Sequence, residues 1–151
     1  MDQEKGEQFE RLATMCVCNN LRRTSRAVTN YYDSLLGQVS DLRMSQVIVL
    51  VVLYLAGPQT IHELAERMAL DRTTIGRNLR PLAQQGLLTL TPGSDQRTRV
   101  VMLTGQGQEA LLCVLPQWER AQEHMVTGIG QAQVAAFLDQ LATVAAQAHD
   151  T

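Results

Sequence analysis

Between Thr60 and Leu103 the chain carries two helix starts, two helix stops and two strand patterns with no slack between them, and few folds accommodate that order. Thr60 and Glu63 have the Ser/Thr-x-x-Glu spacing of a capping box, in which each side chain bonds the other's backbone N–H. A short helix therefore opens there and ends near Met68. Asp71 is an N-cap for a second helix, whose inward positions Ile75, Leu79 and Leu82 repeat at helical spacing. Its opposite face carries Thr73, Gly76, Arg77, Arg80 and Gln84. Pro81 denies the Arg77 carbonyl its helical partner, so the last turn is expected to bend before Gly86 ends the helix at C′. Leu87 to Thr91 and Arg99 to Leu103 then read as strands. The turn formers Pro92, Gly93, Ser94, Asp95 and Gln96 lie between them, and Arg97 stands near the hairpin tip.

Helix, turn, helix and hairpin in this order describe a winged helix-turn-helix. The outward face of the second helix offers hydrogen-bond donors, positive charge and one position without a side chain, as a helix lying in a DNA groove requires. Gly76 costs about 1 kcal/mol against alanine in a helix interior, which suggests close approach of a partner; a neutral surface glycine is the plain alternative. The formal net charge of −2 argues against nucleic acid only if charge is spread evenly. It is not: residues 71 to 99 hold five Arg and two Asp, a local excess of +3.

On either side lie long helical patterns. Glu7 to Leu36 has no proline and no internal glycine, and Val17, Leu21, Thr24, Val28, Tyr31 and Leu35 form one stripe, so a single helix ended by Gly37 is expected. Arg43 to Ala56 contains a β-branched run, Val47, Ile48, Val49, Val51 and Val52, that favours a strand by propensity alone. After the hairpin, Leu111, Leu115, Trp118, Met125 and Ile129 mark a long helix that Pro116 should kink. A last helix from Gln131 to His149 carries Val134, Phe137, Leu138, Leu141, Val144 and Ala148 on one side. Apolar stripes this long need a second surface to cover them, and intertwined homodimerisation supplies it. A two-fold dimer also matches the symmetry of a near-palindromic operator.

Asp95, Arg97, Leu103 and Thr104 match the Asp-x-Arg…Leu-Thr wing signature of the MarR (multiple antibiotic resistance regulator) family. The chain resembles that family from about residue 10 to 146, including the Gly86-Leu87-Leu88 exit from the second helix and the Thr104-Gly105 start of the next. The resemblance implies that Arg43 to Ala56 is a buried helix. It implies that Arg97 enters the minor groove while Asp95 steadies the wing, with Arg99 beside it. Recognition-helix roles carry over by position to Arg72, Thr73, Thr74, Arg77 and Arg80. The expected fold is mainly α with a small β-hairpin wing. The chain is read as one MarR-like unit over 1–151, with dimerisation helices at 7–36 and 105–149 flanking a winged helix-turn-helix at 43–104.

The effector is less constrained. Cys16 and Cys18 cannot grip one ion from a continuous helix, because residues two apart point about 200° from each other. Cys16 aligns with Leu12 and Phe9 and reads as a packed small hydrophobe. Cys18 shares a face with Arg22, Ser25, Thr29 and Tyr32, and the Arg22 charge would favour its thiolate. The peroxide-sensing branch of the family has a reactive cysteine in its first helix, and Cys18 matches it when Arg26 and Tyr32 are laid over the same pattern. In that branch oxidation breaks hydrogen bonds to tyrosines across the dimer and DNA is released. Tyr32 lies about 21 Å from Cys18 along one helix, so contact would have to come from the partner chain. Arg22 and Arg43 stand where that branch has further tyrosines, so the network differs. Cys113 is a candidate resolving thiol. The other reading is a small-molecule pocket of the kind that takes aromatic acids or drugs in many MarR proteins. Its candidate wall residues are Arg22, Arg43, Tyr54 and Trp118, with arginine suited to a carboxylate.

Other classes fare worse. His62, His124 and His149 are scattered, no zinc spacing, P-loop, dinucleotide fingerprint or nucleophile elbow is present, and neither metal, cofactor nor catalysis is expected. Ten apolar residues from Val47 to Ala56 fall short of the ~20 that cross a bilayer. The N-terminus, with Asp2, Glu4, Lys5 and Glu7, lacks a signal-peptide layout, so a cytoplasmic protein with reduced cysteines is expected. A winged helix that docks protein rather than DNA is the remaining alternative. Against it stand arginines in both the helix and the wing.

Overall fold

The computed structural model describes residues 3–95 and 97–149. Asp2 and Gln96, assigned above to the N-terminal and wing sequences, lie outside the described residues. The elements are α1 (Gln3–Met15), α2 (Val17–Leu36), α3 (Met44–Ala56), β1 (Gln59–Thr60), α4 (Ile61–Arg67), α5 (Arg72–Gln84), β2 (Leu88–Pro92), β3 (Arg99–Leu103), α6 (Gly105–Ile129) and α7 (Val134–His149). This is the mainly helical, winged architecture anticipated above.

The expected long first helix is broken. Cys16 is extended (φ −64°, ψ 114°) and divides α1 from α2. The reason lies in the two asparagines that follow. Asn20 Nδ2 donates to the carbonyls of Thr14 at 2.9 Å and Cys16 at 3.0 Å, and Asn19 Nδ2 donates to that of Ala13 at 3.3 Å. On Ala13 and Thr14 these amides satisfy carbonyls that a continuous helix would have bonded, while the Cys16 carbonyl also accepts from Asn20 N at 3.0 Å, the usual way in which asparagine competes with helix. Cys16 is therefore half-buried at a joint rather than packed in a core.

Helix α3 forms despite its β-branched run, because Val47, Val49, Leu50 and Leu53 are all buried and the helix packs on α5, α6 and β3. Tertiary burial overrides a propensity scale spanning only about 1 kcal/mol. These residues share one core with Leu64, Ile75, Leu79, Leu82, Leu88, Val101 and Val114. The hairpin belongs to a three-stranded antiparallel sheet of order β1-β3-β2, in which Gln59 pairs with Val101 and Leu90 with Val101 from the other side. Strand β1 is only two residues long, too short to leave a periodic signal.

Both proline-containing helices, α5 through Pro81 and α6 through Pro116, continue past the ring. The buried seam of α6 is Gly107, Val114 and Ala121, not the stripe of larger residues; Leu115 and Trp118 sit beside an open cleft instead. A Cβ on Gly107 would run into the Leu87 carbonyl, so glycine here lets α6 dock against the end of α5. Helix α1 buries nothing, with Phe9 61%, Leu12 67% and Met15 70% exposed, and Phe137, Leu138, Leu141 and Val144 of α7 are also exposed.

In the turn between α4 and α5, Ala69 has φ +51°. A left-handed residue with a Cβ costs about 1–2 kcal/mol, partly offset by glycine's greater freedom in the unfolded chain. Ala69→Gly is expected to stabilise the protein by about 0.5–1 kcal/mol, read as a higher midpoint in urea unfolding with unchanged slope.

Candidate nucleic-acid interface

Both caps of the helix-turn-helix are built as the spacing predicts. Glu63 N donates to Thr60 Oγ1 at 3.2 Å, and Thr60 N donates to Glu63 Oε2 at 2.7 Å. Thr74 N donates to Asp71 Oδ1 at 2.9 Å, and the Thr74 hydroxyl to Asp71 Oδ2 at 2.7 Å. The hydrogen bonds from Thr60 hold the Glu63 carboxyl below its ordinary pKa, and those from Thr74 do the same for Asp71. Both caps are therefore charged at neutral pH, and each carboxylate favours its helix N-terminus.

With its inward residues Ile75, Leu79 and Leu82 buried, α5 presents Arg72, Thr73, Arg77, Arg80 and Gln84 to solvent. Thr74 is half-buried and its hydroxyl proton is committed to Asp71, so it sets the start of the helix. Asn78, a position the sequence did not single out, faces α3, where the Ser45 hydroxyl lies 3.4 Å from Asn78 Oδ1. Gly86 is left-handed (φ +72°) at C′, ending α5 as predicted.

At the wing, Asp95 Oδ1 accepts from Arg97 N at 3.0 Å, while Thr98 N and the Thr98 hydroxyl donate to the Asp95 carbonyl. Asp95 thus holds the turn through the backbone, which leaves the exposed Arg97 side chain available to a partner; Arg99 is exposed beside it. The arginines of α5 and of the wing sit on two separate elements joined through β2 and Gly86.

Of the effector candidates, Tyr54 and Trp118 come together. They line an apolar cleft of roughly 500 Å³ between α3 and α6, with Met44, Ile48, Leu111 and Leu115. Arg22 and Arg43 do not line it. Arg22 lies on α2 in a shallow groove with Ser25 and Arg26, and Arg43 precedes α3, 3.5 Å from Asp33. Cys18 and Cys113 are exposed, and Cys113 Sγ is 3.8 Å from the Val39 carbonyl. Tyr32 is buried, and its hydroxyl donates to Gln122 Oε1 of α6 at 2.8 Å within its own chain. Burial raises its pKa, with the neighbouring Tyr31 adding to the effect. Among the described residues no group of three His, Cys, Asp or Glu could hold a metal ion, and no helix is long and apolar enough to cross a membrane.

A capped helix-turn-helix whose outward face and wing are both cationic defines a winged-helix protein of the DNA-reading class. The MarR family model matches residues 40–98. The M. tuberculosis transcriptional regulator MosR, solved in complex with DNA, is 31% identical, with 89% of this chain and 98% of that chain covered and a TM-score of 0.77. PcaV of Streptomyces coelicolor, solved with its natural ligand, is 25% identical over 91% of this chain and 96% of that one, with a TM-score of 0.81. The repressor CouR, bound to a 23-mer DNA duplex, is 26% identical over 89% and 95%, with a TM-score of 0.79. No curated protein matches the chain significantly. The chain belongs to the MarR family of transcriptional regulators.

Gly76 needs no space from its own chain, since nothing lies within 4 Å of a Cβ built there. Gly76→Ala is expected to stabilise the fold by about 0.5–1 kcal/mol and yet weaken DNA binding, a pairing of opposite signs read by urea unfolding and by fluorescence anisotropy on labelled duplex.

Proposed function

We propose that this protein is a homodimeric transcriptional repressor that binds a near-palindromic operator, with α5 in the major groove and the wing in the adjacent minor groove, and that an effector releases it. The observation that carries this reading is the division of the charge. Arg72, Arg77 and Arg80 on α5 and Arg97 and Arg99 on the wing stand exposed on a protein whose formal net charge is −2. Thr73 adds a donor on the major-groove side, and Asp95 supports the minor-groove side. DNA-bound relatives support the partner, and the uncovered faces of α1 and α7 support the second copy. In that dimer, α1–α2 and α6–α7 form the arms and residues 43–104 the reading heads.

The cleft between α3 and α6 is the candidate effector site. Its lining is almost wholly apolar, with Tyr54 and Trp118 on its walls, which suits a flat apolar or aromatic molecule. A second reading, thiol sensing, is favoured by the joint at Cys16. Cys18 is exposed in the first turn of α2, and Cys16 is not held in a helical register beside it. Oxidation at a joint between two helices can change their relation, whereas a thiol in a continuous helix has less to move.

Arg97→Ala is expected to weaken binding to the protein's own upstream DNA broadly and to lower the salt slope by about two for a dimer, because each lost phosphate contact removes about 0.9. Unchanged affinity and slope would sink the placement of the wing, and a wild-type affinity insensitive to salt would favour a protein-docking module. Cys18→Ser should bind DNA as the parent does. If thiols are the sensor, this variant no longer lets go of DNA under a mild organic peroxide, while the parent does so reversibly; release that persists in the variant excludes Cys18.

A further inference from the structure

We propose that Asp33 is the positioning residue that sets the angle between dimerisation arm and reading head, and with it the half-site spacing the dimer accepts. This rests on the dimeric DNA-binding reading above. The first N–H groups of any helix lack intrahelical partners. Helix α3 begins after Arg43, whose side chain has no acceptor to offer. Gln46 Oε1 reaches back to Arg43 N at 3.0 Å, but Met44 N is left over. Its partner comes from another helix: Asp33 Oδ1, on α2, accepts from Met44 N at 2.7 Å. A carboxylate at that end also complements the helix dipole.

Both sides of this bond are stiff. On the α2 side, Tyr32 and Leu36 lie beside Asp33 and are buried, Leu36 in the same core as α3, and the Tyr32 hydroxyl ties α2 to Gln122 of α6. On the α3 side, Val47, Val49, Leu50 and Leu53 are embedded in the core of the reading head, and Ser45 meets Asn78 on α5 itself. Residues 37 to 43 connect them without regular structure beyond a turn. Asp33 to Met44 is thus a direct bond from the arm to the helix against which the recognition helix packs. The accompanying contact between Asp33 Oδ2 and Arg43 is different in kind: at 3.5 Å, with the Arg43 side chain 75% exposed against 17% for Asp33, it stands mostly in water and holds little.

A two-fold reader needs its recognition helices about one DNA turn apart, roughly 34–36 Å, so a change at this joint in each protomer alters the fit to the operator without altering contacts to one half-site. The test uses the full-length protein and duplexes carrying two half-sites from its own upstream DNA, with the spacer changed by about one or two base pairs around the natural length, beside a single half-site duplex. The parent should show a sharp optimum. Asp33→Ala should lose about tenfold at the optimum, flatten the spacing profile and bind the single half-site as the parent does, with parental helicity and dimer mass. Asp33→Asn keeps an acceptor oxygen and should restore the profile; Arg43→Ala should leave it unchanged. Asp33→Ser, which is too short to reach α3, serves in place of the alanine variant if that one does not fold. A parental profile in the alanine or serine variant overturns the proposal, and so does an equal loss on single and paired half-sites, which would mean damage to the reading head. If the parent itself gains nothing from a second half-site, the two-fold operator reading fails, and this inference with it.

Discussion

Thr104 carries the junction on which the other elements depend. Its hydroxyl donates to the Gly86 carbonyl at 2.6 Å and accepts from Gly107 N at 3.0 Å, and its own N–H donates to the Leu87 carbonyl at 3.2 Å. One residue thereby joins the end of the recognition helix, the base of the wing and the start of α6. The close approach requires no side chain at Gly107. Helix α6 then runs from this junction to Gln122, where it meets α2. No loop separates the start of α6 from this junction, so its first turn is tied to the end of α5 and to the base of the wing together.

Charge does its work locally. Three of the four acidic groups of the reading head serve capping and turn formation, Asp71 and Glu63 at helix starts and Asp95 in the wing, while Glu66 lies beside His62 on α4. The arginines of α5 and the wing, Arg72, Arg77, Arg80, Arg97 and Arg99, face outward without carboxylate partners among the described residues. That separation is why a protein of net negative charge still presents a cationic surface: carboxylates turned inward to backbone N–H groups, guanidinium groups turned outward.

Apolar surface lies uncovered on the terminal helices. Helix α1 and most of α7 expose apolar faces, and the cleft between α3 and α6 lies open beside Tyr54 and Leu112. Exposed apolar surface of this extent on terminal helices favours association. In the proposed dimer the cleft lies between an arm helix, α6, and a head helix, α3, and Met44, whose N–H donates to Asp33, is one of its lining residues.

Local chemistry was legible in the amino acids: the capping box, the Asp71 cap, the left-handed Gly86 and the wing turn each depend on residues within a few positions of one another, and they appear where spacing put them. The cationic face of α5 followed from periodicity alone. What the sequence did not disclose needed partners distant along the chain or competing signals of similar strength. The valine-rich stretch became helix α3 because of what surrounds it, although the family resemblance had already indicated so. The helix expected through Cys16 broke because Asn19 and Asn20 turned back to the preceding carbonyls, a local option that a stripe of apolar residues does not register. Strand β1 exists only by pairing with β3, and the candidate wall residues parted, Tyr54 and Trp118 to the cleft, Arg22 and Arg43 elsewhere. Sequence determined where the two helices of the helix-turn-helix start and stop and which face of the second is charged, since those depend on short-range hydrogen bonds and a 3.6-residue period. Tertiary structure decided which apolar stripe is buried and which carboxylate caps a helix not its own, since those depend on close packing between segments far apart in the chain.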